Sequence, residues 1–312
     1  MKLLYFNDFR LGVVRGNDIV DITDCVIDIP HIETKDIMKG LIENFSVYRE
    51  KIERMCVSAD GIPFNSVKIH PPLPKPDNID CMARNYIEDG NHAVLPAINA
   101  FHKTSNAIIG DGDVMLLPDA PAKVFEAEAE FAVVIGKRAT GVTADKAMDY
   151  VFGYVNFIDG SARGLPPSDN TFYQGKCRDT FAPIGPYIVT ADEVGDPNQL
   201  QLKLWVNGTL KQDFNSSDIA HKIPRCIEWV SAIHTLEPGD LIATGTNHFG
   251  LGAIQNGDVI ELEVESLGRL RVTVQDPLKR EWTRETRQQR KVQGHQVLLA
   301  PQIGGKYTPS SP

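Results

Sequence analysis

The chain has 312 residues, of which 42% are hydrophobic and 23% charged, a mixture typical of a globular protein with a sizeable core. Its 41 acidic residues outnumber its 32 lysines and arginines, and the net charge of −9 argues against broad binding to nucleic acids or anionic membranes. No apolar run approaches the roughly 20 residues that span a bilayer. The five cysteines are scattered, so we expect a cytoplasmic protein with reduced thiols.

Residues 1–70 predict a small α+β domain at the N-terminus. Short alternating runs separated by turn residues, KLLYFND, LGVVRG and DIVDIT, favour an antiparallel sheet. From Thr34 to about Arg54, apolar residues recur at helical spacing, which predicts a helix. The proline-rich segment from His70 to Asn78 can form neither a helix nor an interior strand, so we expect it to link this domain to the next.

Residues 71–278 predict a larger α+β domain in which strands predominate. The strand candidates are FAVVIGK, QLKLWVNG, LIATGT, DVIELEVESL and RLRVTVQ, whereas the main helical patterns are Ala144–Val151 and Ile223–Ile233. Many short strands with few helices argue against a doubly wound sheet. Residues 279–312 are rich in Arg, Gln, Gly and Pro and lack periodicity, which predicts a mostly extended C-terminal arm.

Three glutamates lie two residues apart in the segment VFEAEAEFAVVIGK. On a strand, Glu126, Glu128 and Glu130 would point to one face, and the β-branched run that follows favours a strand. Two interpretations remain open: the carboxylates are solvated at an exposed edge, or they converge on a hard cation, which prefers oxygen ligands. Asp159 in GYVNFIDGSARG, expected at the end of another strand, is a candidate further ligand or a turn former before Gly160.

Downstream segments add groups that could bind an anion. Lys176 could hold a substrate carboxylate or an oxyanion, and the plainer interpretation is a surface ammonium. The loop from Thr244 to Thr246 offers hydroxyls and backbone N–H groups. It lacks the Gly-Lys-Ser/Thr of a phosphate-binding loop, and no GxGxxG follows a first strand, so we expect no nicotinamide cofactor.

Seven sequence blocks follow one another between about residues 80 and 275. They are Asn85-Tyr86 with His92-Ala93, HKTSNAIIG, EAEAEFAVVIGK, GY with D-x-SAR, GK-x-x-DTFAPIGP, LKLWVNG, and TLEPGDLIATGT with GD-x-IELE-x-x-x-LG. Together, these blocks resemble the fumarylacetoacetate hydrolase family. The resemblance implies a mixed β-roll catalytic domain, the small N-terminal domain that many members carry, and a homodimer.

The resemblance also implies a metal centre. One divalent cation, commonly Mg²⁺ with Mn²⁺ or Ca²⁺ as alternatives, would be held by Glu128, Glu130 and Asp159. Glu126 lies outside that triad and is expected in an outer layer or in solvent.

Further residues match family positions that bind the substrate or stabilise its charge. Lys176 and Thr246 match positions that stabilise developing negative charge. His248, next to the Thr246 loop, could touch the substrate or lie on the loop surface. The substrate-binding candidates are Tyr86, Arg163, Lys103 and His248.

A histidine in a lid segment is the expected water-activating base. His92 falls on this position, and in hydrolytic relatives the histidine pairs with a glutamate. In some relatives that glutamate follows three residues later, where this chain has Leu95. Glu88 or Asp89, just before the histidine, could take its place, and we select Glu88 as the catalytic candidate.

The chemistry that the resemblance implies is the hydrolysis of a C–C bond in a small oxo acid. Family substrates are β-diketo acids or α-keto acids, in part from aromatic-compound breakdown, whose neighbouring oxygens chelate the cation. An activated water attacks the distal carbonyl, and cleavage releases an enolate. Without that water, the same site would decarboxylate, isomerise or hydrate an oxo acid. A non-catalytic metal-binding module is the alternative from another class.

Overall fold

The computed structural model describes residues 1–88, 95–166 and 172–309, and strands predominate in these ranges. The helices are α1 Thr23–Val26, α2 Ile37–Glu43, α3 Phe45–Ser58, α4 Phe172–Lys176, α5 Ile223–Ile233 and α6 Arg287–Val292. The strands are β1 Lys2–Phe6, β2 Arg10–Arg15, β3 Asp18–Asp21, β4 Ile62–Pro63, β5 Ile69–His70, β6 Ile79–Met82, β7 Ala100–His102, β8 Ile108–Ile109, β9 Val114–Leu116, β10 Val124–Ile135, β11 Val151–Arg163, β12 Ala182–Thr190, β13 Gln201–Val206, β14 Thr209–Asn215, β15 Leu241–Ala243, β16 Val259–Val264, β17 Arg269–Gln275, β18 Glu281–Trp282 and β19 Gln302–Gly304. The predicted α+β class with predominant β-structure is confirmed. None of the helices in the described ranges is both long and apolar enough to cross a membrane.

Two sheets organise the chain. The larger, with 12 strands, runs β4-β3-β2-β1-β12-β11-β10-β15-β6-β7, with β5 beside β1 and β8 beside β12. The smaller runs β14-β13-β16-β17-β9. The N-terminal strands are antiparallel, as predicted, but they continue the larger sheet because β1 pairs with β12, with Leu3 opposite Ile188. The N-terminal segment therefore shares a sheet with the candidate catalytic domain.

Strand β10 lies in the interior of the larger sheet, and all 12 of its residues are buried. Its odd-numbered residues from Phe125 to Ile135 belong to one hydrophobic cluster, whereas Ala132 and Val134 belong to the other. This alternation puts the three glutamates on one face, as the sequence predicted. Because all three are at most 4% exposed, the interpretation of solvated glutamates at an exposed edge is wrong.

The helix predicted from Thr34 to about Arg54 is interrupted. Helix α2 ends and α3 begins on either side of Asn44, whose backbone (φ −110°, ψ 22°) is not helical. The Asn44 side-chain amide donates to the carbonyl of Gly40 at 3.0 Å. This is the competition with the backbone that makes asparagine a poor residue for a helix interior.

The two helical patterns predicted in the larger domain had different outcomes. Helix α5 has the predicted bounds, Ile223–Ile233. The pattern at Ala144–Val151 was wrong, because only a 3-10 turn at Ala147–Tyr150 forms and Val151 already begins strand β11. The end of that segment therefore belongs to the larger sheet.

The C-terminal arm, for which the sequence predicts a mostly extended chain, also contains regular structure. The arm contains α6 and the β18–β19 pair, and it packs against the main domain. Trp282 is 1% exposed, and its indole N–H donates to the carbonyl of Lys123 at 2.7 Å. The buried guanidinium of Arg280 pairs with Asp276 at 3.0 Å. The sequence analysis missed the packing of Trp282 because its partner, the Lys123 carbonyl, is 159 positions away and leaves no periodic pattern.

Candidate metal centre and active site

The three carboxylates predicted as metal ligands meet between β10 and β11. The antiparallel register puts Glu128 directly opposite Asp159, and ligand oxygens of Glu128, Glu130 and Asp159 lie within 4.8 Å of one another. Asp159 lies inside β11 and not at a strand end, because the strand continues to Arg163. Three carboxylates with no other ligand type suit a hard divalent cation, so these residues fit the expected metal centre.

Two buried lysines lie among these carboxylates. Lys176 Nζ donates to Glu128 Oε1 at 2.8 Å and also to Asp159. Lys103 Nζ donates to Asp159 Oδ1 at 2.6 Å and to the carbonyls of Gly160 and Lys176 at 3.2 and 2.6 Å. These three acceptors use every N–H of the Lys103 ammonium. For Lys103, the geometry therefore favours a role in positioning Asp159 rather than the predicted contact with the substrate.

The buried charges shift one another's pKa. Burial raises the pKa of Glu128, but the charges of Lys176 and Arg163 outweigh burial and hold that pKa well below its usual value. Burial, followed by the charges of Asp159 and Glu128, raises the pKa of Glu130 well above its usual value. Ionisation of Glu130 therefore depends on a further positive charge nearby.

Glu126 is buried and paired with two arginines, which excludes the solvated alternative. Arg163 Nε donates to one oxygen at 3.0 Å, and Arg287 Nε donates to the other at 2.9 Å. Arg163 also contacts Glu128, so it links the outer carboxylate to the inner ones. Arg287 belongs to the C-terminal arm, and its backbone N–H donates to the carbonyl of Leu251 at 2.8 Å. The arm thereby supplies a cation to the site.

The loop after β15 is held against β10. The Gly245 N–H donates to Glu130 Oε2 at 2.7 Å. The side chain of Gln212, on β14, accepts from the Ala129 N–H at 2.9 Å and donates to Thr246 Oγ1 at 2.9 Å. Because the Thr246 hydroxyl accepts this bond, its own proton is available for an oxyanion.

The residues of the site that the sequence analysis did not name include Ser161 and Gln212. Ser161 donates to Glu128 Oε1 at 2.8 Å, and its position two residues after Asp159 on one strand face was the signal that could have found it. Gln212 is 2% exposed and lies in the smaller sheet. No local motif marks it, because its role depends on how the two sheets pack.

A histidine–glutamate pair, His248 and Glu88, lies beside the carboxylates. His248 Nδ1 lies 2.5 Å from Glu88 Oε1, and the His248 backbone N–H donates to the same oxygen at 3.2 Å. Both side chains are half-buried. The sequence analysis named both residues but not their pairing. His92 and Asp89 lie outside the described residues, so the predicted role of His92 stays a prediction.

A cavity of about 200 Å³ opens over the metal centre. Besides Glu128 and Asp159, its charged and polar lining consists of Arg84, Arg163, Lys176, Thr246, His248 and Arg287. Within the part of the chain that the structure describes, exposed Arg84 makes no hydrogen bond or ion pair. Its φ of +53° is uncommon for a residue other than glycine. This excess of cations favours an anionic ligand.

An adjoining cavity of about 270 Å³ shares Arg84, His248 and Arg287 with the first and reaches Tyr86. Tyr86 is 1% exposed, and its ring packs edge-on against Phe214 with 5.1 Å between centroids. This burial favours a packing role over the substrate contact predicted for Tyr86.

Known proteins are similar to this chain in sequence and fold. Residues 79–275 match the family model described as fumarylacetoacetate (FAA) hydrolase C-terminal. A maleylpyruvate hydrolase of Aquipseudomonas alcaligenes is 31% identical over 292 residues, which is 88% of this chain and 99% of that protein. Oxaloacetate tautomerase YisK of Bacillus subtilis is 37% identical over 219 residues, which is 66% of this chain and 72% of that protein.

A solved structure extends the likeness to three dimensions. The maleylpyruvate hydrolase from Sphingobium sp. SYK-6, in complex with manganese(II) ion and pyruvate, matches with a TM-score of 0.80 and 37% identity. The match covers 88% of this chain and 99% of that chain. The family model stops at residue 275, before the arm that carries Arg287.

Glu130→Gln is expected to abolish Mn²⁺ binding in titration calorimetry, because it removes one of three clustered anionic ligands. The matched control is Glu126→Gln, two residues earlier on the same buried face, where the carboxylate contacts arginines. It should keep Mn²⁺ binding and lose roughly tenfold in affinity, as for residues that support ligands from outside. Equal losses in the two variants would contradict the ligand assignment.

Proposed function

Because the chain belongs to the fumarylacetoacetate hydrolase family, we propose that it is a divalent-metal-dependent enzyme that hydrolyses a C–C bond in an acylpyruvate with two carboxylates. The observation that carries the proposal is a single cavity lined by Glu128 and Asp159 of the carboxylate centre and by the cations Arg84 and Arg287. The similarity to two maleylpyruvate hydrolases supports this substrate class. The homodimer and the cytoplasmic location expected from the sequence remain predictions.

The carboxylate centre would bind the pyruvoyl end of the substrate. A cation held by Glu128, Glu130 and Asp159 would polarise the carbonyl oxygens and offset the charge of an enolate. Lys176 has two carboxylate acceptors among the described residues, which leaves one of its three N–H groups for a substrate oxygen. The Thr246 hydroxyl, held by Gln212, is a second donor to developing negative charge.

His248 is the residue that would activate water in this proposal. Its Nδ1 is bound by Glu88, which leaves Nε2 as the nitrogen that can accept a proton. The glutamate would fix the tautomer of the ring and stabilise the imidazolium. Water gives a proton to Nε2 and adds its oxygen to the distal carbonyl carbon. When the C–C bond breaks, the proton returns to the enolate carbon, which yields pyruvate and a carboxylic acid.

Arg84 and Arg287 would hold the second carboxylate of the substrate. Both line the cavity over the metal centre and also the adjoining one, so they lie where a longer substrate would extend. Arg287 is partly neutralised by Glu126, whereas Arg84 has no acceptor within the described residues. A guanidinium with free N–H groups binds a carboxylate with both of its oxygens.

Tautomerisation of an oxo diacid such as oxaloacetate is the second candidate function. Its support is the 37% identity to oxaloacetate tautomerase YisK over 219 residues. The same cations would hold the two carboxylates of the substrate. The histidine–glutamate pair would move a proton between carbon and oxygen, and no water would be consumed.

The product formed distinguishes these reactions. With Mn²⁺ or Mg²⁺ and maleylpyruvate, the protein is expected to release pyruvate and a dicarboxylic acid in equal amounts. Lactate dehydrogenase coupling measures the pyruvate, and chromatography identifies the acid. Chelation of the metal should stop the reaction. If absorbance shows only keto–enol conversion of oxaloacetate and no maleylpyruvate cleavage, the tautomerase takes the place of the hydrolase; if neither substrate changes, both proposals fail.

Replacement of His248 by Asn is expected to lower kcat for C–C cleavage by about 10²–10⁴-fold, the usual contribution of a positioned general base. Glu88→Gln retains an acceptor for Nδ1 and should lower kcat less than Glu88→Ala does. Mn²⁺ affinity should be unchanged in all three variants, because neither residue belongs to the carboxylate centre. Full activity of His248→Asn would show that another group, such as His92, activates the water.

Arg84→Met is expected to raise KM for the diacid about 10–100-fold, since a hydrogen bond to a charged group contributes about 1.5–3 kcal/mol. Arg287→Met should act in the same direction. An acylpyruvate without the second carboxylate should show little change in KM. The matched control is Arg284→Met, three residues earlier in the arm, where the guanidinium pairs with Asp258. Equal effects on both substrates would contradict the assignment.

A further inference from the structure

A second group of metal-ligating side chains, Asp80, His102 and His234, lies apart from the carboxylate centre. Asp80 on β6 is directly opposite His102 on β7, and His234 follows the last residue of α5. One ligand atom from each residue lies within 4.8 Å of the other two. The cluster therefore joins the edge strand of the larger sheet, its neighbour and the end of a helix.

The distances within the cluster suit a tetrahedral ion. His102 Nδ1 and His234 Nε2 each lie 3.3 Å from Asp80 Oδ1, and His234 Nε2 also lies 3.2 Å from Asp80 Oδ2. Ligand atoms of a tetrahedral Zn²⁺ site with bonds of about 2.0–2.1 Å lie about 3.3 Å apart. The two imidazole rings are 5.5 Å apart between centroids, so they flank the carboxylate without stacking on each other.

The environment of Asp80 is independent evidence that this cluster binds a ligand. The residue is 3% exposed, and its Oδ2 makes no hydrogen bond within the described part of the chain. Buried carboxylate oxygens are normally hydrogen-bonded or bound to a cation. His234 Nδ1 lies 2.9 Å from the carbonyl of Thr235, to which it can only donate. Its Nε2 lies 3.3 Å from Asp80 Oδ1. In the neutral ring that carries its proton on Nδ1, Nε2 is an acceptor, and a cation between it and the carboxylate would satisfy both.

From this geometry we infer that Asp80, His102 and His234 form a second metal site, selective for Zn²⁺ or a similar transition metal. Imidazole ligands favour such ions, whereas the all-carboxylate centre favours Mg²⁺ or Mn²⁺. The side chain of His102 is 60% exposed, so water can take the fourth position. The two sites would therefore hold different metals in one chain.

The site would stabilise the sheet edge next to the carboxylate centre. His102 is followed by Lys103, whose Nζ donates to Asp159 Oδ1 at 2.6 Å. Successive residues of an extended chain point to opposite faces, so the two metal sites lie on opposite sides of this segment. An ion held by His102 would fix the backbone that positions Lys103. This inference does not depend on which oxo acid the enzyme uses.

Zn²⁺ titration calorimetry of the Mn²⁺-saturated protein tests the site. The wild-type chain is expected to bind one further equivalent of Zn²⁺, and Zn²⁺ should raise its Tm. His102→Gln and His234→Gln should lose that equivalent and the Tm increase, while both variants keep their Mn²⁺ binding. The control His295→Gln changes an exposed histidine of the arm and should behave as wild type.

Each result decides the question. If the two cluster variants bind as much Zn²⁺ as the wild type, the inference is overturned. It is also overturned if the wild-type protein takes up no Zn²⁺ beyond its Mn²⁺ centre, and the three side chains then form an ion-pair cluster only. Because Mn²⁺ binding is measured in the same samples, failure of the carboxylate centre is recognised separately.

Discussion

The burial of four carboxylates on one face of two paired strands is the constraint on which the rest of the site depends. Glu126, Glu128 and Glu130 lie along β10, and Asp159 faces Glu128 across the strand pair. Like charges directly opposite each other destabilise a sheet, and charges removed from water are costly unless they are paired. The fold is stable only if cations lie beside this face, and three of those cations, Arg163, Lys176 and Arg287, also line the cavity.

These cations come from segments that are far apart in the sequence. Lys103 follows β7, Lys176 ends α4, Arg163 ends β11, and Arg287 begins α6 in the arm. Each one contacts a carboxylate of the centre or Glu126. Charge compensation therefore connects the edge of the sheet, a short helix and the arm to one location. Substitution of any of these cations would leave a buried carboxylate with one partner fewer.

Local periodicity allowed the sequence to predict one part of the site. The spacing of Glu126, Glu128 and Glu130 predicted that they lie on one strand face. The break of the helix at Asn44 also has a local cause, but the helical periodicity did not show it. The pairing of His248 with Glu88 joins residues 160 positions apart, so no local pattern could show it.

The resemblance to a family supplied Asp159 as a third metal ligand, although its place within β11 required the strand register. Arg287 and Gln212 act through the packing of the arm and of the smaller sheet. Neither segment carries a motif that would predict such a contact.

The order of synthesis on the ribosome affects the nascent protein, because the strands that bear the carboxylates emerge long before Arg287 does. Until that arginine has left the exit tunnel and docked, Glu126 has only Arg163 as a partner, and a nascent chain cannot present a finished cavity to its ligand.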